Sequence, residues 1–500
     1  MALPRRGETS FGPVLQNRAF RSLWLAQVLA QTAQNANNFM LIVLIERLTA
    51  ATIHQGLMIM AFTLPGVLFA PISGVVIDRL PKKWVLVGSN LLRALSALSY
   101  ALLIWMAPGH SAWWLLMMVY GVAFLTATVG QFFNPAEAAT IPLLVARPYL
   151  IAANSLFTLT LAMAQVVGLI IIGPVAVKLI GLRSAFVLMS AMYLLAALSV
   201  RRIPRDQPSC RSQQARSAWH QAWVDFREGW QFVVQRPPIA IAMSHLTLIA
   251  SLVMMMAMLA PGIASRVLHL APEDAIVVFA PAGLGMLLTA FALGRWGNRL
   301  PKERLARLGL VGIATGFVSL GWIAWRFQIT NTTLALDLAT VTKPSAGAGL
   351  ILATVGLSLF LGLTMSGVNI VSQTILHERT TDAVRGRVFA VQFMLNNLVG
   401  IPPMLATGGI ADLIGIPPVL VGIGVAVAAV LGATVAAERR YRRRLVSATP
   451  AAPGVSASTG EREVAPEPGA SADQSAARRV VSPSSEKERR SATQRAGTLP

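Results

Sequence analysis

The sequence predicts an all-α polytopic membrane protein, with twelve transmembrane helices in two pseudo-symmetric six-helix bundles. Three observations predict it. The chain of 500 residues is 55% hydrophobic and only 13% charged, about half the charged fraction of an ordinary globular domain. Its apolar residues gather in runs of roughly 20, the length that crosses a hydrocarbon layer. One loop sequence recurs, once in each half. Together they exclude a soluble, secreted, disordered or fibrous protein. Barrel strands would alternate with period two over ~10 residues, and nothing here alternates.

Read against Gly, Pro and Arg breaks, the runs of the first half lie near 22–46, 55–78, 84–107, 112–135, 152–179 and 184–201. Those of the second half lie near 237–261, 274–297, 306–327, 348–373, 386–409 and 415–437. This divides the chain into a cytoplasmic arm (1–21), a six-helix bundle (22–201), a linker (202–236), a second bundle (237–445) and a tail (446–500). From Ser447 to Pro500 the chain is Ala, Ser, Pro and Gly with mixed charge, a composition expected to be disordered. In the linker Trp219, Trp223, Phe226, Trp230 and Val233 share one helical face. That helix either lies on the membrane surface, with Arg227 and Arg236 towards headgroups, or packs on the loops of the two halves.

Charge sets the orientation. With both termini cytoplasmic, 29 of the 42 Lys and Arg fall on the inner side, counting Arg93 just within the third span. Six fall outside: Arg47, Lys178, Arg183, Arg266, Arg326 and Lys343. The other seven are in the tail. That bias matches the positive-inside rule and a cytoplasmic membrane with anionic headgroups. The net charge of +21 therefore points to lipid and not to nucleic acid. Cys210, the single cysteine, excludes an internal disulfide and any multi-Cys metal site, so no metal or cofactor is expected. No cleavable signal peptide is expected.

Gly74-Val-Val-Ile-Asp78-Arg79-Leu80-Pro81-Lys82 returns 220 residues later as Gly294-Arg-Trp-Gly-Asn298-Arg299-Leu300-Pro301-Lys302. A weaker echo joins Lys178-Leu-Ile-Gly181 to Asp412-Leu-Ile-Gly415. Equivalent loops in two blocks of six helices imply a pseudo-twofold axis along the membrane normal, with a site between halves that rock.

Gly74 to Lys83 resembles the cytoplasmic loop motif of the major facilitator superfamily. Asn17 to Trp24, Phe133 to Pro142 with Ala153-Asn-Ser155, and Arg385-Gly-Arg-Val388 resemble the branch holding the enterobactin exporter and macrolide efflux proteins. Gly173-Pro174 is similar to the Gly-Pro of the exporters' antiport motif, although Val177 and Lys178 stand where further glycines would be expected. The resemblance, over roughly residues 17–440, implies the major facilitator fold and alternating access. It also implies that Asp78 closes the cytoplasmic side at the start of the eleventh helix. A carboxylate there meets the partial positive charge of a helix N-terminus, and Arg385 and Arg387 add cationic partners. The expected gate is Gly74, Asp78, Arg79, Lys82, Lys83, Arg385 and Arg387, with Asn298 and Arg299 as its weaker copy. The alternative for these charges is that they only fix topology.

Polar residues inside spans are costly unless they face water or a partner. Gln27, Gln31, Gln34 and Asn38 lie within about 60° of one another on the first span. Asn154, Thr158 and Gln165 align on the fifth, Ser366, Asn369 and Gln373 on the tenth, and Gln392 and Asn396 on the eleventh. They are the candidate lining of a central cavity; the alternative is interhelical hydrogen bonding. Mid-span acids and bases are scarce, which disfavours strongly cationic substrates and small multivalent anions. Amides beside aromatics and the run Met254, Met255, Met256 and Met258 suit a bulky, partly apolar molecule; the alternative for the methionines is lipid-facing or core packing.

The expected substrate is therefore an amphipathic organic compound such as a drug, macrolide-like molecule or siderophore, exported by a monomer in exchange for protons. Candidate proton-coupling groups are Glu137, Glu46 and Asp78. Arg93 is expected to pair, with Glu137 as one partner, or to snorkel, and His245 is either titratable or a packing residue. A lipid flippase of the same architecture is the related alternative. A membrane-embedded enzyme or sensor is the other class, but no His-Glu-x-x-His, Gly-x-Ser-x-Gly or phosphate-binding loop is present.

Overall fold

Bilayer solvent requires every backbone polar group to be satisfied within its own segment, and a helix does this. The structure, a computed structural model, describes residues 11–109, 111–204, 218–296, 301–337 and 348–448, and these are almost entirely helical. The N-terminal arm up to residue 10, Asn298, Arg299 and most of the tail lie outside the described residues. So do the side chains of Asp78, Arg79, Trp219 and Trp223.

The first half comprises α1 (Phe11–Gln16), α2 (Arg18–Thr49), α3 (Thr52–Arg79), α4 (Lys82–Met106), α5 (Ala112–Leu144), α6 (Leu150–Val166) and α7 (Gly173–Arg201). The linker forms α8 (Ala218–Val234). The second half comprises α9 (Pro237–Gly262), α10 (Ile276–Trp296), α11 (Lys302–Asp337), α12 (Ala348–Arg379), α13 (Asp382–Leu398), α14 (Ile401–Ile414) and α15 (Ile416–Ala448).

Among the described residues, ten helical stretches are long and apolar enough to cross a membrane. One of them, Arg147–Arg201, is 55 residues long and turns at Gly181, so it makes two spans. The remaining span is α2, whose 32 residues are long enough but whose amides lower its hydropathy. The count is twelve. The fifth span is composite, with a π-helical turn at Val167–Ile172 between α6 and the Gly173-Pro174 that opens α7. The eleventh is also in two pieces, α13 and α14, because Pro402 and Pro403 restart the helix after Gly400.

The repeat survives in three dimensions. Gly181 ends the fifth span with φ 79° and Gly415 ends the eleventh with φ 89°. Both sit where an L side chain is disfavoured, so the shared Leu-Ile-Gly encodes the same reversal twice.

Helix α4 displays the polarity expected in lipid. It buries Asn90, Arg93, Ala94, Ala97 and Tyr100 and exposes Leu91, Leu95, Leu98 and Leu102 at helical spacing. Polar groups face the bundle and leucines face outward. Within the first half α2 packs on α6 and α7, α4 on α5 and α7, and α3 on α5. Within the second, α12 packs on α9, α10 and α11. The halves meet chiefly where α3 runs along α9, α13 and α14.

The linker helix is docked on the second half. Val233 is buried among Ile239, Leu246, Leu376, Val388 and Val391, with Phe226 against the same cluster. Arg387 of α13 forms an ion pair with Glu228 of α8. Trp230 remains 43% exposed, stacked on Phe226.

Candidate functional site

Halfway along α2, a polar cavity of about 160 Å³ opens inside the first half. Gln31, Gln34, Asn37 and Asn38 of α2 form one wall. Arg93 and Tyr100 of α4 form the second, and Thr126, Gly130, Gln131 and Asn134 of α5 the third, with Leu41 and Phe62 adding apolar surface. Gln34 is fixed at both ends: its Nε2 donates to Asn38 Oδ1 at 2.9 Å, and Tyr193 Oη donates to its Oε1 at 3.2 Å. Arg93 lies eleven residues into α4, about 16 Å along its axis, near the middle of a hydrocarbon layer ~30 Å thick.

Gln31, Gln34 and Asn38 line this cavity. Gln27 does not: it is fully buried, and its Nε2 donates to the carbonyl of Phe157 on α6 at 3.4 Å. Asn154, Thr158 and Gln165 are exposed on the fifth span and line no part of it. Ser366 donates to the Met286 carbonyl at 3.1 Å, which ties α12 to α10, and Asn369 is exposed. Gln373, Gln392 and Asn396 each carry a buried side-chain oxygen with no hydrogen-bond partner among the described residues, outside this cavity. This cavity lies within the first half, and of the residues expected to line a chamber between the halves it takes in Gln31, Gln34 and Asn38.

Thr126, Gly130 and Asn134 recur at steps of four, a helical face that sequence periodicity carries but the reading of the spans passed over. Arg93 neither snorkels nor forms a direct ion pair with Glu137 among the described residues. Its guanidinium lies 4.4 Å from the ring centroid of Phe133, and Nε and Nη1 have no hydrogen-bond partner among the described residues. Glu137 is also buried, and its Oε1 has none. In the second half, His245 lines a separate cavity of about 310 Å³ with Glu303, Arg307, Arg379 and Glu438.

The ends of the two halves at which α2 stops and α3 begins, expected to be the outer ends, are joined by charge. Asp412, in the last turn of α14, accepts from the backbone N–H of Thr52 at 2.6 Å and of Ile53 at 2.8 Å. Those donors open α3, whose cap residue Ala51 has no side chain to satisfy them. Arg266 donates to Thr52 Oγ1 at 2.8 Å and reaches Asp412 and the buried Glu46 at 3.4 Å. Glu46 also accepts from Ser265 at 2.7 Å. Arg47 pairs with Glu273 at 2.9 Å, and Lys178 pairs with Asp274. Three of the six outer basic residues are thus spent on contacts between halves, and Glu46 belongs to this latch.

Packing reinforces the latch. A Cβ at Gly408 would come within 3.2 Å of the Ile53 Cα, and one at Gly56 within 3.1 Å of Leu405 and 3.2 Å of the Met258 sulfur. Small residues let the backbones of α3 and α14 approach closely.

At the inner end, Lys82 is buried at the start of α4, and Lys83 donates to the Ile203 carbonyl at 2.6 Å, tying α4 to the end of α7. Arg385 donates to the Thr380 carbonyl at 3.4 Å. Thr381 makes no side-chain capping bond to α13. The helices α3 and α13 pack together, but the Asp78 and Arg79 side chains, and Asn298 and Arg299 entirely, lie outside the described residues. Gly74 falls in the last turns of α3.

The family model for the Major Facilitator Superfamily matches residues 23–401. The chain is 24% identical to the uncharacterized MFS-type transporter YfiS of Bacillus subtilis over 434 residues, 82% of this chain and 93% of that one. It is 24% identical to YkuC of the same organism over 232 residues, spanning about half of that relative's length (52%). Among solved structures, a bacterial homologue of the human lysosomal transporter Spinster aligns with TM-score 0.60 at 14% identity, covering 86% of this chain and 98% of that one. The nucleoside transporter NupG aligns with TM-score 0.58 at 14% identity, covering 83% and 98%. At that identity the likeness concerns the fold. With twelve helices in two repeated halves and a family model matched across most of its length, this multi-pass membrane protein belongs to the Major Facilitator Superfamily of transporters.

Proposed function

We propose that the protein is a secondary active transporter that exports amphipathic organic compounds by alternating access, coupled to protons. The observation that carries this reading is the polar chamber at mid-membrane depth, lined by the amides of Gln31, Gln34, Asn38, Gln131 and Asn134. Amides bind many organic substrates with adaptable hydrogen bonds and demand no fixed substrate charge. The outer latch supports the same reading, because its contacts are ionic and hydrogen-bonded and so can break and re-form as the halves rock. Access from outside requires Asp412 to leave the α3 N-terminus. Closure on the cytoplasmic side falls to Asp78 against α13. The buried Glu137, whose Oε1 has no hydrogen-bond partner among the described residues, is the coupling group this reading favours.

The charge bias supports a cytoplasmic membrane with both termini inside and anionic headgroups at the inner face; the working unit of this reading is a monomer. Inverted membrane vesicles test the whole. A panel of fluorescent amphiphiles should accumulate inside only when the protein is present and a pH gradient is imposed. Accumulation that ignores a protonophore removes proton coupling. Absence of accumulation for every compound removes export.

A further inference from the structure

We propose that Arg93 is an anion-recognition residue of the first-half cavity, and that its ligand is an amphipathic organic monoanion presenting a carboxylate. The proposal rests on the reading of that cavity as a substrate site. Arg93 is only 3% exposed, yet its Nε and Nη1 have no hydrogen-bond partner among the described residues. A permanently charged group buried without compensation is expensive. The Phe133 face at 4.4 Å returns part of that cost. Gly130 leaves bare backbone beside the guanidinium, where a Cβ would stand 3.2 Å from Nη2. Glu137 acts on Arg93 electrostatically but makes no direct ion pair with it among the described residues.

A planar guanidinium on the cavity wall can meet a carboxylate through two parallel hydrogen bonds. The amides of Gln31 and Gln131 stand in the same cavity and add donors, and Leu41 and Phe62 offer apolar contact for an organic body. One cation fits one negative charge. A dianion would leave its second charge buried and unpaired. An ionised Glu137 would compete with a bound carboxylate for the field of Arg93, so Glu137→Gln should favour the ligand.

The full chain in lipid nanodiscs tests this with two isosteric pairs of probes, phenylacetate against phenylacetamide and 1-naphthylacetate against 1-naphthylacetamide, by calorimetric titration. Each acid should bind about 10-fold or more tightly than its amide. Arg93→Gln should erase that preference, Arg93→Lys should retain part of it, and Glu137→Gln should strengthen the acids. Equal affinity of acid and amide for the unaltered protein, or binding of neither, overturns the proposal even if Arg93→Gln does not fold. Dye export in vesicles separates the two readings. Exported neutral dyes without any acid preference sink the anion role alone, whereas acid binding without transport of any compound sinks the transport reading.

Discussion

Asp412 closes the outer end of the molecule by capping, in the opposite half, the helix that begins at Thr52. The carboxylate takes the Thr52 N–H at 2.6 Å, where α3 has no cap of its own. Its position in the repeat is that of Lys178, which pairs with Asp274 at the start of the eighth span. Both residues stand three positions before the glycine that ends the fifth or eleventh span, so the two latches are pseudo-equivalent, with the sign of the charge reversed.

Asp412→Ala should loosen the outer closure. A capping contact at a helix N-terminus is worth ~1–2 kcal/mol, about 5- to 30-fold in the balance between two conformations. Met58 is fully buried beneath the latch. In a Cys210→Ser background, Met58→Cys should react faster with an external maleimide once Asp412 is replaced. An unchanged rate would mean that the cap does not hold the halves together.

Arg47 and Glu273 are partly exposed, so their pair should contribute only ~0.2–1 kcal/mol. Arg47→Glu alone should raise Met58→Cys labelling modestly, and adding Glu273→Arg should restore the original rate. Additive effects of the two reversals would show that the residues do not interact.

Gly408→Leu should disrupt closure by a different route. The added side chain meets the Ile53 backbone, and overpacking of this kind costs ~1–3 kcal/mol. Lower thermal stability together with faster labelling at Met58→Cys is the expected pair of results.

Gln34 and Gln27 lie on one stripe but should respond differently. Gln34→Ala removes hydrogen bonds to Asn38 and Tyr193 inside the cavity, each worth ~1 kcal/mol, and should raise KM for a transported dye several-fold at normal expression. Gln27→Ala removes a buried hydrogen bond to the Phe157 carbonyl and should lower stability with KM unchanged. Identical kinetic effects would mean that the cavity does not separate them.

The fold was legible because a bilayer admits few alternatives: apolar runs, the Lys and Arg bias and the repeated loop each point to twelve spans. The site was legible only in part. A helical wheel places Gln27 with Gln31, Gln34 and Asn38, but which end of that stripe meets α6 and which meets a void depends on the neighbouring helix. Arg93 was visible as an oddity, and its stacking on Phe133 depends on how α4 and α5 pack. The outer latch was the least legible, because Arg47 and Glu273 are separated by 226 residues and nothing local marks either as a partner.

Alternating access requires α3 and α14 to part at their outer ends in every cycle. Cysteines at Ile53→Cys and Gly409→Cys, adjacent across that seam, joined by a short bifunctional thiol reagent in the Cys210→Ser background, test this in inverted vesicles. Dye accumulation should fall to the level of protein-free vesicles on cross-linking and return when a reducible linker is cleaved. Full transport by the cross-linked protein would mean that the outer seam never opens and that the halves do not rock.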